Sequence, residues 1–150
     1  MAMRKIILDV DTGSDDAVAI MTAILSRELE LLGVTTVHGN LPLPYTTDNT
    51  LRVMDFMKSQ IPVYKGCPYP LAQDLTPGRR VNGDEVKHDT VIDGKVVAVH
   101  ERELPLPPAV SGVQEEHAVP WLWRTLKYAE EKITLIPVGA MTNIATVLRM

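Results

Sequence analysis

Four aspartates within eight consecutive positions are the part of this sequence best suited to chemistry. They are Asp9, Asp11, Asp15 and Asp16, in the stretch LDVDTGSDDA. Carboxylates packed this closely beside apolar residues raise one another's pKa unless a cation or hydrogen-bond donors compensate for their charge. A hard divalent cation, which prefers oxygen ligands, is the simplest compensating group. The stretch therefore predicts a functional site.

The elements around the four acids place them between a strand and a helix. The run IILDV over residues 6–10 is β-branched and almost wholly apolar, as in a strand buried on both faces of a parallel sheet. Turn-forming residues follow at 12–14, and residues 17–25 make an apolar segment of helical length. Ligands of open α/β sheets bind at such strand ends. For each acid alone an ordinary role stays open, with Asp15 as a helix cap and Asp16 as a first-turn acid.

A second unit repeats this arrangement. Residues 29–37, LELLGVTTV, are a second buried-strand candidate, and they end in His38, Gly39 and Asn40. Parallel strands joined by a helix form a right-handed crossover, and their ends lie side by side. We therefore expect Asn40 to stand near the aspartates.

The rest of the chain continues as alternating elements around one irregular insertion, at about residues 68–114, which is rich in proline and glycine. The remaining predicted elements are a helix over 46–59, a strand over 61–65, a hairpin over 91–99 around Asp93 and Gly94, a helix over 115–131, a strand over 132–138 and a helix opening at 139. For Trp121 and Trp123, packing or an interface is expected rather than stacking on a base. Helix capping and ligand contact are both open for Thr142 and Asn143.

Composition narrows the class of protein. With 150 residues the prior is a single domain over 1–150, and a net charge of −4 argues against a nucleic-acid partner because no basic stripe exists. The single Cys67 forms no internal disulfide, and no apolar run approaches the ~20 residues of a membrane span. The N-terminus lacks the pattern of a secretory signal, so we expect a cytoplasmic protein with no membrane role.

Three stretches resemble one family. DVDTGSDDAVAI, starting at Asp9, is similar residue for residue to the N-terminal signature of the inosine-uridine preferring nucleoside hydrolases. GVTTVHGN over 33–40 and IPVGAMTNIA over 136–145 fit the same family in order and spacing. The resemblance covers essentially the whole chain and implies an α/β fold, with an open, mostly parallel, Rossmann-like sheet and helices on both faces.

The resemblance also implies an activity and a metal. The family hydrolyses the N-glycosidic bond of ribonucleosides to free base and ribose, by means of a Ca²⁺-bound water that an Asp activates. Carried over to this sequence, Asp11 and Asp16 are the Ca²⁺ ligands together with the backbone carbonyl of Val138. Asp11 is also the general base, so the expected cofactor is Ca²⁺.

Substrate contacts are implied in the same way. Asp15 and Asn40 resemble the residues that hold ribose hydroxyls, and Asp9 resembles an acid that orients its neighbours. The family often carries a His beside a Gly in the irregular segment, where this chain has Asn82 before Gly83. His88 and His100 lie in the same segment and receive no role here.

Family members are considerably longer, and their C-terminal part supplies a further Asp to the metal and the Asn and Glu that grip the ribose. The chain is thus expected to be a truncated, N-terminal portion that forms a homo-oligomer. One alternative is an inactive or split homologue that acts as a subunit or a weak metal binder. Another is a haloacid-dehalogenase-like phosphatase, because Asp9 to Thr12 also fits the start D-x-D-x-T.

Overall fold

The computed structural model describes residues 3–73, 89–98 and 101–150. Asn82, Gly83, His88 and His100 lie outside the described residues. The elements, in chain order, are β1 (Arg4–Val10), α1 (Ser14–Leu25), β2 (Leu29–Thr36), α2 (Leu43–Phe56), β3 (Val63–Lys65), β4 (Asp89–Ile92), β5 (Lys95–Ala98), α3 (Ala118–Lys127), β6 (Thr134–Pro137) and α4 (Thr142–Val147).

The central sheet has four strands in the order β3-β2-β1-β6, and every pair in it is parallel. The chain runs outward from β1 to β2 and β3, and later adds β6 on the other side of β1. The order of strands therefore reverses between β1 and β6. The carboxyl ends beside such a switch point are where open α/β sheets bind ligands.

Alternate residues of β1 enter two different cores. Ile6, Leu8 and Val10 pack on one face with Ile20 of α1 and Met54 of α2. The opposite face, beginning with Ile7, meets residues of α3 and α4, namely Trp121, Leu122 and Ile144. Because successive side chains of a strand point to opposite faces, this pattern places helices on both sides of the sheet. The predicted α/β class is confirmed.

Trp121 anchors the second core. Its ring stacks on Tyr64 with 4.0 Å between ring centroids, and only 6% of the residue is exposed. A Cβ at Gly33 would lie 2.6 Å from Trp121 Cη2, so the glycine makes room for the indole. The predicted packing role of Trp121 is confirmed.

Three helices differ from the predicted bounds, and the last of them, α4, begins at Thr142 instead of 139. α2 begins at Leu43, three residues earlier than expected, because Pro44 fits in the first turn, where its missing N–H is not needed. α3 is shorter than the predicted 115–131. It starts after His117, whose Nδ1 accepts a hydrogen bond from the Val119 N–H at 3.2 Å.

The predicted hairpin is present as β4 and β5, which pair antiparallel around Asp93 and Gly94. Both turn residues have positive φ, 51° and 75°, as a tight two-residue hairpin turn requires. Among the helices of the described residues, none has the length and apolar character needed to cross a membrane.

Candidate active site

Asp9 is the most deeply buried acid of the site. It lies in β1 between Thr35 of β2 and Pro137 of β6, with no exposed surface. Its Oδ1 accepts hydrogen bonds from Thr35 Oγ1 at 2.5 Å and Asn143 Nδ2 at 2.7 Å. Its Oδ2 is buried and has no partner among the described residues. Burial raises the pKa of Asp9 to about 6 against the two hydrogen bonds, and the charge of Asp11 adds to the rise.

Asp11 stands just beyond the end of β1 and is 5% exposed. Its Oδ2 accepts a hydrogen bond of 2.7 Å from the Asn40 N–H. Glycines crowd it on two sides. A Cβ at Gly139 would lie 2.8 Å from Asp11 N and from Asp11 Oδ1, and a Cβ at Gly39 would lie 2.5 Å from Asp11 Cγ. The loops after β2 and β6 therefore close on Asp11, which holds its carboxylate in one place.

Asp15 and Asp16 occupy the first turn of α1, whose N-cap is Gly13. The Gly13 N–H donates to Asp16 Oδ2 at 3.2 Å. Asp16 is buried, and burial raises its pKa to about 6, with further contributions from the charges of Asp11 and Asp15. Asp15 is exposed. Asp16 is thus a first-turn acid facing inward, and the suggested cap role of Asp15 is wrong because Gly13 takes that position.

The end of β6 completes the switch point. The N–H groups of Val138 and Gly139 both donate to the Asp9 carbonyl, at 2.9 and 3.2 Å. An open cleft of about 450 Å³ lies above these strand ends, a volume within the range of small-molecule sites. It is lined by Asp11, His38, Gly39, Asn40, Pro70, Val138, Gly139 and Ala140.

The structure therefore brings Asp11, Asn40 and Val138 to one cleft, and Asn40 lies near the aspartates, as the sequence predicted. Asp9 lies beneath it in the sheet. Asp16 interacts electrostatically with Asp11, but neither it nor Asp15 belongs to the lining that the described residues form.

Two residues of the site had no assigned role in the sequence. His38 lines the cleft and is 5% exposed, and burial lowers its pKa against the attraction of Asp11. Its position at the end of the second predicted strand was the available signal. For Asn143 both capping and ligand contact were open. The capping role is wrong because the N-cap of α4 is Met141, and the Asn143 side chain bonds instead to the strand ends.

The donor set fits part of a calcium shell. Asp11, Asp16 and the Val138 carbonyl offer only hard oxygen donors. The pKa of Asp16 is raised mainly by burial, and the neighbouring charges of Asp11 and Asp15, which add to the rise, are charges that a cation would compensate. Within the described ranges, no three His, Cys, Asp or Glu side chains are arranged as a complete metal site. Ca²⁺ takes about 6–8 oxygens, so further donors would have to come from water or from other protein groups.

Comparison with known proteins identifies the family. The sequence profile of the inosine-uridine preferring nucleoside hydrolases matches residues 6–150. The chain belongs to this family. Nothing supports the haloacid-dehalogenase-like alternative, because the nucleoside hydrolase match covers almost the whole chain.

Individual nucleoside hydrolases agree with this assignment. The chain is 38% identical over 150 residues to the pyrimidine-specific ribonucleoside hydrolase RihB of Escherichia coli O157:H7, covering all of this chain and 44% of the relative. It matches the structure of an inosine-guanosine nucleoside hydrolase with a TM-score of 0.75 and 26% identity, over 99% of this chain and 42% of the other. It matches a purine-preferring ribonucleoside hydrolase from Gardnerella vaginalis with a TM-score of 0.73 and 30% identity, over 97% and 43%. The chain thus spans less than half the length of these relatives.

Proposed function

We propose that this chain carries the acidic half of an active site that hydrolyses the N-glycosidic bond of ribonucleosides, releasing base and ribose. One observation carries the proposal. The Asp11 carboxylate is fixed at the wall of an open cleft, at the switch point of the sheet, by the Asn40 N–H and two glycine-bearing loops. The family membership supports the class of reaction.

The chemistry needs a base for water and negative charge beside the ribose. The sugar becomes oxocarbenium-like as the bond breaks, so carboxylates stabilise it. In the proposal Asp11 takes the proton from the attacking water. The exposed Asp15 and the half-buried side chain of Asn40 accept and donate hydrogen bonds to ribose hydroxyls. Asp9 supports the strand end from below.

Asp11, Asp16 and the Val138 carbonyl would hold Ca²⁺ in this proposal. When bound, the cation supplies a Lewis acid that lowers the pKa of water. The support comes from the oxygen-only donor set and from the mutual repulsion of Asp11 and Asp16, which a cation would relieve.

The coverage of 44% of RihB favours a second candidate, cation binding without turnover by this chain on its own. The preferred base, a homo-oligomeric state and a cytoplasmic location stay predictions.

The test is ribose release from inosine and from uridine, measured as reducing sugar in the presence of Ca²⁺. Asp11→Asn should lower the rate about 10²–10⁴-fold, because a general base contributes about that much. Asp93→Asn is the matched control: it makes the same change in the β4–β5 turn, where Asn tolerates positive φ, and should keep the rate. An unchanged rate in Asp11→Asn would refute the role of Asp11. Calcium binding by calorimetry with no ribose release would select the second candidate.

A further inference from the structure

We propose that Asn143 is a positioning residue of the site, which fixes Asp9 and through it the wall that holds Asp11. The inference rests on the proposed function only for its effect on turnover.

The Asn143 side chain links three strand ends, and its own helix follows the fourth strand of the sheet. Asn143 has no exposed surface and lies on α4, directly after β6. Its Nδ2 donates to Asp9 Oδ1 of β1 at 2.7 Å and to the Thr36 carbonyl of β2 at 3.0 Å. Its Oδ1 accepts from the Cys67 N–H, after β3, at 2.8 Å. A Cβ at Gly66 would collide with this amide group, so a glycine leaves the space that Asn143 occupies.

Asp9 carries the effect from Asn143 to the cleft. Its side chain is held by Asn143 and Thr35, while its carbonyl accepts from the N–H groups of Val138 and Gly139. Gly139 in turn lies against the backbone N and the Oδ1 of Asp11. If the Asp9 side chain loses its donor, a buried carboxylate is left less satisfied and must shift, and the loop at Gly139 moves with it.

Asn49 provides a matched control. It is also fully buried, and its Nδ2 likewise donates two hydrogen bonds, here to the carbonyls of Thr12 at 3.1 Å and Arg102 at 3.2 Å. Its Oδ1 accepts from the Leu104 N–H at 2.9 Å. The Asn49 amide therefore makes the same number of bonds as the Asn143 amide, but none of them reaches a carboxylate. Replacing it tests the loss of a buried amide without the loss of the Asp9 contact.

The experiment follows the Asn40 amide, because its N–H donates to Asp11 Oδ2 and reports where that carboxylate lies. Hydrogen exchange at this amide is measured by NMR, with global stability measured separately and subtracted. Asn143→Ala should lower its protection at least about tenfold and lower kcat about 10–100-fold, the usual effect of losing a partner that orients a site ligand. Asn49→Ala should lower stability while Asn40 protection and kcat stay within about threefold of the original values.

Equal Asn40 protection and kcat in the two Ala variants would overturn the inference and leave Asn143 a structural residue. If Asn143→Ala does not fold, Thr35→Val replaces it. This change keeps the volume and removes the other donor to Asp9 Oδ1. It should lower Asn40 protection about threefold or more, and unchanged protection would overturn the inference, which needs Asp9 as intermediary. The exchange result requires no turnover, so the role of Asn143 is still decided if this chain on its own releases no ribose.

Discussion

Replacing Gly39 by alanine should disable the site while leaving the fold largely intact. The new methyl would lie 2.5 Å from Asp11 Cγ and 2.6 Å from Asp11 Cβ, and it would overlap Oδ2, which accepts from the Asn40 N–H. Asp11 Cβ is attached to the backbone, so the conflict is not limited to the flexible end of a side chain.

The magnitude follows from the shortfall in distance. Carbon atoms pack at about 3.5–4.0 Å, so Asp11 and the Gly39 loop must separate by about 1 Å. A displacement of about 1 Å in a catalytic group costs about 10²-fold in rate. Overpacking at a buried position costs about 1–3 kcal/mol of unfolding free energy. We therefore expect kcat for ribose release to fall about 100-fold, with a modest loss of stability.

The assay compares Gly39→Ala with Gly112→Ala. A Cβ at Gly112 meets nothing within 4 Å, so this control changes the same residue type without a clash. Its stability should stay within about 0.5 kcal/mol and its rate should be unchanged. Thermal unfolding and ribose release are measured for both. If Gly39→Ala kept full activity and an unchanged Asn40 amide shift, the close packing around Asp11 would not govern catalysis.

Two further predictions concern charge. Without divalent cations, the free energy of unfolding should fall as pH rises from about 4 to 6 and then level off. Asp9 and Asp16 have a pKa of about 6 in the folded state, against the ordinary value of 3.8. The folded state therefore binds more protons than the unfolded state in this window, and it loses that advantage as the pH rises. Each carboxyl contributes up to about 3 kcal/mol to this change. Denaturant titrations at several pH values measure it, and a free energy of unfolding that rises between about pH 4 and 6 would contradict the raised pKa of the two acids. Ca²⁺ at about 100 times its Kd should stabilise the chain by about 2.7 kcal/mol. Thermal unfolding with and without EGTA measures this gain, and Asp16→Asn should remove most of it. An equal gain in the variant would exclude Asp16 as a ligand.

The first two strands, and the polar residues at their carboxyl ends, could be predicted from the local sequence pattern. The apolar run before Asp9 identified β1, and the repeat of strand and polar turn at 29–40 placed Asn40 beside Asp11, which the Asn40 N–H contact agrees with. Both inferences depend on periodicity and on the handedness of crossovers, which a sequence displays directly.

The roles of Asn143, His38 and Trp121 depend on long-range packing, which local pattern does not contain. Asn is a residue type that often caps helices, but the Asn143 amide donates to Asp9, 134 positions away in the sequence. Trp121 of α3 packs on Tyr64 of β3, in space that Gly33 of β2 leaves open because it has no side chain. The start of α2 was predicted three residues too late, because proline breaks a helix in its interior but is tolerated in the first turn, where Pro44 lies.

The pairing of β1 with β6 brings together residues that are far apart in the sequence, and this affects how the site forms. Asp9 and Asn143 are 134 residues apart in sequence, so bringing them together costs about 4 kcal/mol in loop-closure entropy alone. The β1–β2 unit can form from neighbouring sequence, whereas the β6 side, with Val138, Gly139 and Asn143, joins only at this cost. Local opening of β6 would withdraw all three residues from Asp9 and Asp11 at once. These three residues should therefore join the site together, late in folding, and leave it together, early in unfolding.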